Sequence, residues 1–176
     1  MAEKRLTINR APVLTLWAAV VAERLGFDWP EALTLGKAVA GLTAQRKGQR
    51  LGIFKPVPAE VKRARAKKRG EEFWLELCGR PVTAVNTTDG VRAVVEDKPI
   101  EPASVERYLQ SKFGDDLAAA RDAMRELAKA FKLEQLAEKA FELYVKFRPN
   151  VAEGVTGWGA KGTLDLGRIR SLASKA

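Results

Sequence analysis

Residues 11–22, APVLTLWAAVVA, contain no charged side chain, and this run limits the folds open to the chain more than any other feature. In a helix, Val13, Leu14, Leu16, Trp17, Val20, Val21 and Leu25 would cover most of the circumference, so such a helix needs neighbours on nearly every side. The spacing predicts a central core helix over about residues 10–25, with Asn9 as N-cap, Pro12 in the first turn and Gly26 just past the end. Lys4, Arg5 and Arg10 ahead of the run imitate a secretory leader. The capping pattern assigns it instead to the folded core. Twelve residues also fall short of the roughly 20 that cross a bilayer, and no membrane partner is expected.

A second helix is predicted from Asp28 to about Arg46. Asp28 and Glu31 form a capping box, and Pro30 falls in the first turn. Ala32, Gly36, Ala40 and Ala44 recur every fourth residue, a small-residue stripe suited to close helix packing, which must also offset the cost of Gly36 and Gly41 in a helix. The pattern then changes. RLGIF (50–54), EFWLEL (72–77), residues 81–85 after a turn at Gly79 and Arg80, and VRAVVE (91–96) after the NTTDG turn (86–90) read as strands of a small antiparallel sheet.

Helical periodicity returns near Pro102, pauses at Gly114 with Asp115 as the next cap, and breaks again near Lys132 before Pro149 ends it. Buried stripes are expected at Leu117, Ala120, Met124, Leu127 and Phe131, and at Leu136, Ala140, Phe141, Tyr144 and Phe147. Residues 150–176 read as a glycine-rich strap pinned by Trp158, closing in a short helix from about Leu164. The expected fold is therefore α+β and mainly helical: a helical hairpin, a small antiparallel sheet in the middle, and C-terminal helices. At 176 residues one domain, 1–176, is the default, with the basic segment 46–70 projecting from it.

The net charge of +9 lies entirely in that segment. Between Arg46 and Arg69 stand ten cations and the single acid Glu60, whereas the remaining 152 residues carry twenty-one charges of each sign. Pro58, Glu60 and Gly70 supply helix start and stop signals, but a helix here sets Arg63 against Lys67 and Arg65 against Arg69 at i,i+4, with only Val61 and Ala64 to offset the repulsion. A polyanion would relieve it. The segment lacks the Trp, Phe or Leu face that a membrane-surface helix needs. Nucleic acid, DNA or RNA, is thus the expected partner, held by Arg46, Lys47, Arg50, Lys62, Arg63, Arg65, Lys67, Lys68 and Arg69 through phosphates, with weak sequence preference. A helical scaffold for a partner protein, or a homo-oligomer, is the alternative.

Several chemistries are narrowed by what is missing. The chain has no histidine, which removes Ser-His and Cys-His nucleophiles and His-dependent zinc sites. Cys78 is the only cysteine, so no intramolecular disulfide forms, which fits a reducing, cytoplasmic setting, and it reads as a small hydrophobe. GVTGWGAKGT departs from a phosphate-binding loop because Gly162 separates Lys161 from Thr163. No cofactor, resident metal or catalytic group is expected.

Three short resemblances remain. VAERLGFDWPEALTL (21–35) is similar to the helix-turn-helix family in the spacing of Ala22 and Gly26 and in the apolar Val21, Leu25, Phe27, Ala32 and Leu35. This implies DNA binding, with a following hairpin as a wing. However, the would-be reading helix opens with Trp29, Pro30, Leu33 and Thr34 in place of base-contacting Arg, Asn or Gln. Glu96 and Lys98, with Asp89 in the preceding turn, resemble the metal-binding half of restriction-type nuclease cores, which implies metal-assisted hydrolysis; a solvated hairpin end accounts for them more simply. Ala137, Phe141 and Pro149 are spaced as in the second half of a tetratricopeptide unit, but one such unit builds no solenoid.

Overall fold

Almost every face of the uncharged helix is covered, as its composition requires. The computed structural model describes residues 5–50, 72–95, 98–149 and 161–175. A first strand, β1 (Arg5–Asn9), leads directly into α1 (Arg10–Arg24), which is buried continuously from Pro12 to Ala22. Trp17 is fully buried, donates its indole N–H to the Ala140 carbonyl at 2.8 Å and meets Phe147 edge-on at 5.3 Å. Asn9 does occupy the N-cap, but its side chain makes no capping hydrogen bond. It is also the last residue of β1, opposite Lys161, so the ladder rather than a cap sets this helix start.

The end of α1 is a Schellman turn. Gly26 N–H donates to Glu23 O and Phe27 N–H to Ala22 O, with Gly26 at φ +121°. Next, α2 (Trp29–Arg50) starts at the predicted capping box: Asp28 Oδ1 accepts from Glu31 N at 2.9 Å, and Glu31 Oε1 accepts from Asp28 N at 3.0 Å. It runs to Arg50, four residues past the predicted end, so Arg50 is helical and does not open a strand. Ala32 and Ala40 are buried, and Gly36 rests directly on the α1 backbone at Thr15 and Ala19. Gly41 differs: it is exposed, and a Cβ built there meets nothing within 4 Å. Packing therefore offsets the helix cost of Gly36 only. Gly41→Ala is expected to stabilise the protein by about 1 kcal/mol, seen as a higher urea midpoint at unchanged slope.

One sheet has the order β2 (Glu72–Leu77), β3 (Arg80–Thr87), β4 (Gly90–Val95), β5 (Lys98–Pro99), antiparallel throughout. The first hairpin turns on Cys78 and Gly79, one residue earlier than predicted; their φ values of 50° and 72° are those of a primed two-residue turn. Arg80 thus belongs to β3 and is buried, its guanidinium 4.4 Å over the Phe141 ring. The second turn is likewise shorter than NTTDG: Asn86 and Thr87 still pair with β4, leaving Thr88 and Asp89 at the tip. Residues 51–54, predicted as a strand, lie outside the described residues.

The helices that follow are α3 (Pro102–Phe113), a 3-10 turn at Gly114–Asp116, α4 (Leu117–Lys129) and α5 (Leu133–Phe147). Asp115 falls inside the 3-10 turn; Asp116 stands at the N-cap of α4, without a side-chain cap. The predicted break near Lys132 is present, and Lys132 is the N-cap residue of α5. In α5, Leu143 is buried where Phe141 was expected; Phe141 is only partly covered.

The strap reading of the C-terminal region is corrected for residues 161–174. Lys161–Asp165 forms β6, antiparallel to β1 with Leu6 opposite Leu164, and α6 (Leu166–Ser174) begins two residues later than predicted. Asp165 caps α6 by accepting from Gly167 N at 2.9 Å. Trp158 and the glycines before Lys161 lie outside the described residues. The result is an α+β, mainly helical fold in which α1 is surrounded by α2, α3, α4 and α5, the four-stranded sheet lies on α2, and α6 packs on α4.

Candidate nucleic-acid interface

Helix α2 supports the part of the basic segment that the structure reaches. Its first half is clamped on two sides. Glu31 Oε2 accepts from Val91 N at 2.7 Å, and the buried Thr34 hydroxyl accepts from Ala93 N at 3.0 Å while donating to Glu31 O. On the other side, Gly36 lies against α1. The capping box was readable in sequence; the second use of Glu31, as an anchor for β4, was not, because it joins residues sixty positions apart.

From this clamp the helical backbone continues through Arg46, Lys47 and Arg50. Beyond Glu31, α2 holds Lys37 and these three cations and no acid. Arg46 and Arg50 are one turn apart, about 15 Å or less along the axis from Ala40. Lys37 itself sits with Nζ 3.7 Å over the Tyr108 ring of α3. Burial and the neighbouring Lys112 hold its pKa below the ordinary lysine value, and burial raises that of Tyr108. Lys62, Arg63, Arg65, Lys67, Lys68 and Arg69 lie outside the described residues.

Four acids of the folded body are paired within it. Both Glu23 oxygens accept from Arg125, Glu126 pairs with Arg170, Glu142 with Lys146 and Asp165 with Arg5. The exposed pairs among these, Glu142–Lys146 and Asp165–Arg5, contribute little to stability.

The helix-turn-helix resemblance does not extend to a presented reading helix. Leu33 and Thr34 are buried, the latter bonded to β4, and the hairpin that would form a wing covers α2 instead. Nor is the nuclease-like set drawn together. Asp89 is at the β3–β4 turn and Lys98 is in β5 opposite Val95, so they stand at the two ends of β4, about 20 Å of strand apart. Glu96 lies outside the described residues, among which no group of three metal-ligating side chains occurs. Cys78 is buried, and burial pushes its thiol up to about 12, consistent with an inert small side chain.

Among the described residues no helix is long and apolar enough to cross a membrane. Sequence reasoning missed a second cationic group, in which Arg121 and Arg125 stack on Trp29 with guanidinium carbons 4.1 and 5.5 Å from the ring centroid. The i,i+4,i+8 spacing of Arg121, Arg125 and Lys129 was the available signal. Compared with protein families, curated proteins and solved structures, the chain matches none.

Proposed function

We propose that the protein binds nucleic acid without catalysis, through phosphate contacts made by Arg46, Lys47 and Arg50 together with Lys62, Arg63, Arg65, Lys67, Lys68 and Arg69. The observation that carries this reading is the confinement of the whole +9 excess to residues 46–69 of an otherwise balanced chain. Support comes from α2, an acid-free helix beyond Glu31 that is fixed to α1 and β4 and bears the first three of these cations. A rigid base lowers the ordering cost of engaging a polyanion. Phosphate contacts carry no sequence information, and the buried start of α2 offers no base-reading set, so sequence preference is weak.

The test is a variant with Lys62, Arg63, Arg65, Lys67, Lys68 and Arg69 all replaced by Gln. Retention on a polynucleotide matrix at low salt is expected to disappear while the circular-dichroism spectrum of the body persists. Retention equal to wild type would refute the proposal. Wild-type protein that captures a protein partner but no polynucleotide, with that capture intact in the variant, would move the function to the scaffold class.

A further inference from the structure

One side of α5 carries a row of apolar side chains that the described residues leave uncovered. Leu133, Ala137, Phe141 and Val145 follow one another at four-residue intervals, so they form a single ridge about 18 Å long. Leu133 and Val145 are 44% and 42% exposed, and with Val95 of β4 they are the large hydrophobics left exposed among the described residues. Ala137 is exposed as well; Phe141 is partly covered, with Arg80 lying on its ring.

The next ridge around the helix is Glu134, Glu138 and Glu142, all exposed. The dipole of α5 accounts for Glu134 in the first turn but not for the two acids behind it. Each carboxylate has another one turn away, an arrangement that opposes the helix. Of the three, only Glu142 is ion-paired among the described residues, with Lys146 at 3.8 Å.

We infer that this side of α5 docks an amphipathic helix of a partner protein, with apolar residues on Leu133, Ala137 and Val145 and lysines or arginines along the Glu134–Glu142 ridge. Charge selects the occupant. A basic flank relieves the repulsion among the three carboxylates, whereas a polynucleotide or an anionic bilayer meets them with like charge. A second copy in antiparallel two-fold contact sets one Glu ridge against the other. The chain's own basic segment has only Val61 and Ala64 to lay on the apolar ridge. An apolar row with one charged edge suits helix-in-groove recognition, whose anchors recur at i, i+3 or i+4, and i+7. The surface lies outside residues 46–69 and does not rest on the nucleic-acid reading.

The test titrates the isotope-labelled full chain with a designed helical peptide bearing leucines at heptad positions a and d and lysines at e and g. A peptide with glutamates in place of the lysines and a scrambled peptide of the same composition are the controls. Saturable binding of the lysine peptide is expected, with amide shifts centred on Leu133, Ala137, Glu138 and Val145 that neither control produces. L133S/V145S and E134Q/E138Q/E142Q change exposed positions, and each is expected to weaken binding at least about tenfold, the second also flattening its salt dependence. E134K/E138K/E142K is expected to take the glutamate peptide there instead of the lysine one. The six-site Gln variant is expected to bind the lysine peptide as wild type does, so this inference and the nucleic-acid reading fail separately. Equal binding of the scrambled peptide, or shifts centred elsewhere, would overturn the assignment. A wild-type dimer that L133S/V145S separates would overturn it too, by giving the ridge to a second copy.

Discussion

Gly36→Ala is expected to lower the thermal midpoint by about 5–10 °C, through a net loss of about 2–3 kcal/mol. In an isolated helix the same change would stabilise by about 1 kcal/mol, so the expected sign is opposite to intrinsic propensity. The reason is the crossing of α1 and α2. A Cβ on Gly36 would meet the Thr15 carbonyl oxygen and approach the Ala19 nitrogen to 2.9 Å. Both are backbone atoms of the most buried helix, and neither can rotate aside. Relief requires α2 to move away from α1, which would loosen Ala32, Leu35 and Ala40 and strain the Glu31–Val91 and Thr34–Ala93 bonds to the sheet. Thermal melts of Gly36→Ala beside Gly41→Ala check this, because the two changes are chemically identical and only the close approach differs. Equal shifts for both would mean that α1 and α2 do not cross where the small-residue stripe places them.

The contrast shows what local pattern can convey. Gly36 and Gly41 are indistinguishable by propensity, and only the four-residue stripe through Ala32, Gly36 and Ala40 separates them. Helices written with their own caps were readable: the Asp28–Glu31 box, the Gly26 terminator and Pro102 all mark true ends. The β1–β6 ladder was not, since each strand has five residues and its partner lies about 150 positions away; only the alternation of Leu6 with Ile8, and of Gly162 with Leu164, hints at it. That ladder also explains why the Asn9 side chain makes no capping bond and why α6 starts late. Asn9 is held by pairing with Lys161, and Leu164 is drawn into a strand that delays α6 until Asp165 can cap it.

For the candidate interface, sequence was informative about charge and uninformative about presentation. Counting Lys and Arg locates the excess, but only long-range contacts reveal that the start of α2 is locked beneath β4, which removes a reading helix from consideration. The Asp89, Glu96, Lys98 resemblance depended on nearness in sequence, whereas β4 extends between the first and the last of these residues. The four-residue spacing of Leu133, Ala137, Phe141 and Val145 is readable, but only the packing of α5 shows that Leu133 and Val145 are left exposed. Nothing in the order of residues states which side of a helix its neighbours cover.

Binding to polynucleotides is expected to collapse with salt by about a thousandfold between roughly 50 and 200 mM, if about six of the cations meet phosphates and release their counterions. The body contributes no net charge, so the slope belongs to residues 46–69 and should shrink by about one for each cation removed. Scrambling the oligonucleotide sequence is expected to change little, because phosphates are common to all sequences.

A salt series on wild-type protein, with duplex and single-stranded oligonucleotides side by side, probes most directly whether displaced cations drive attachment to a phosphate polymer. A steep linear fall of log affinity with log salt, alike for unrelated sequences, is the predicted result. Affinity that stays level across that range, or no binding at the lowest salt, would contradict it.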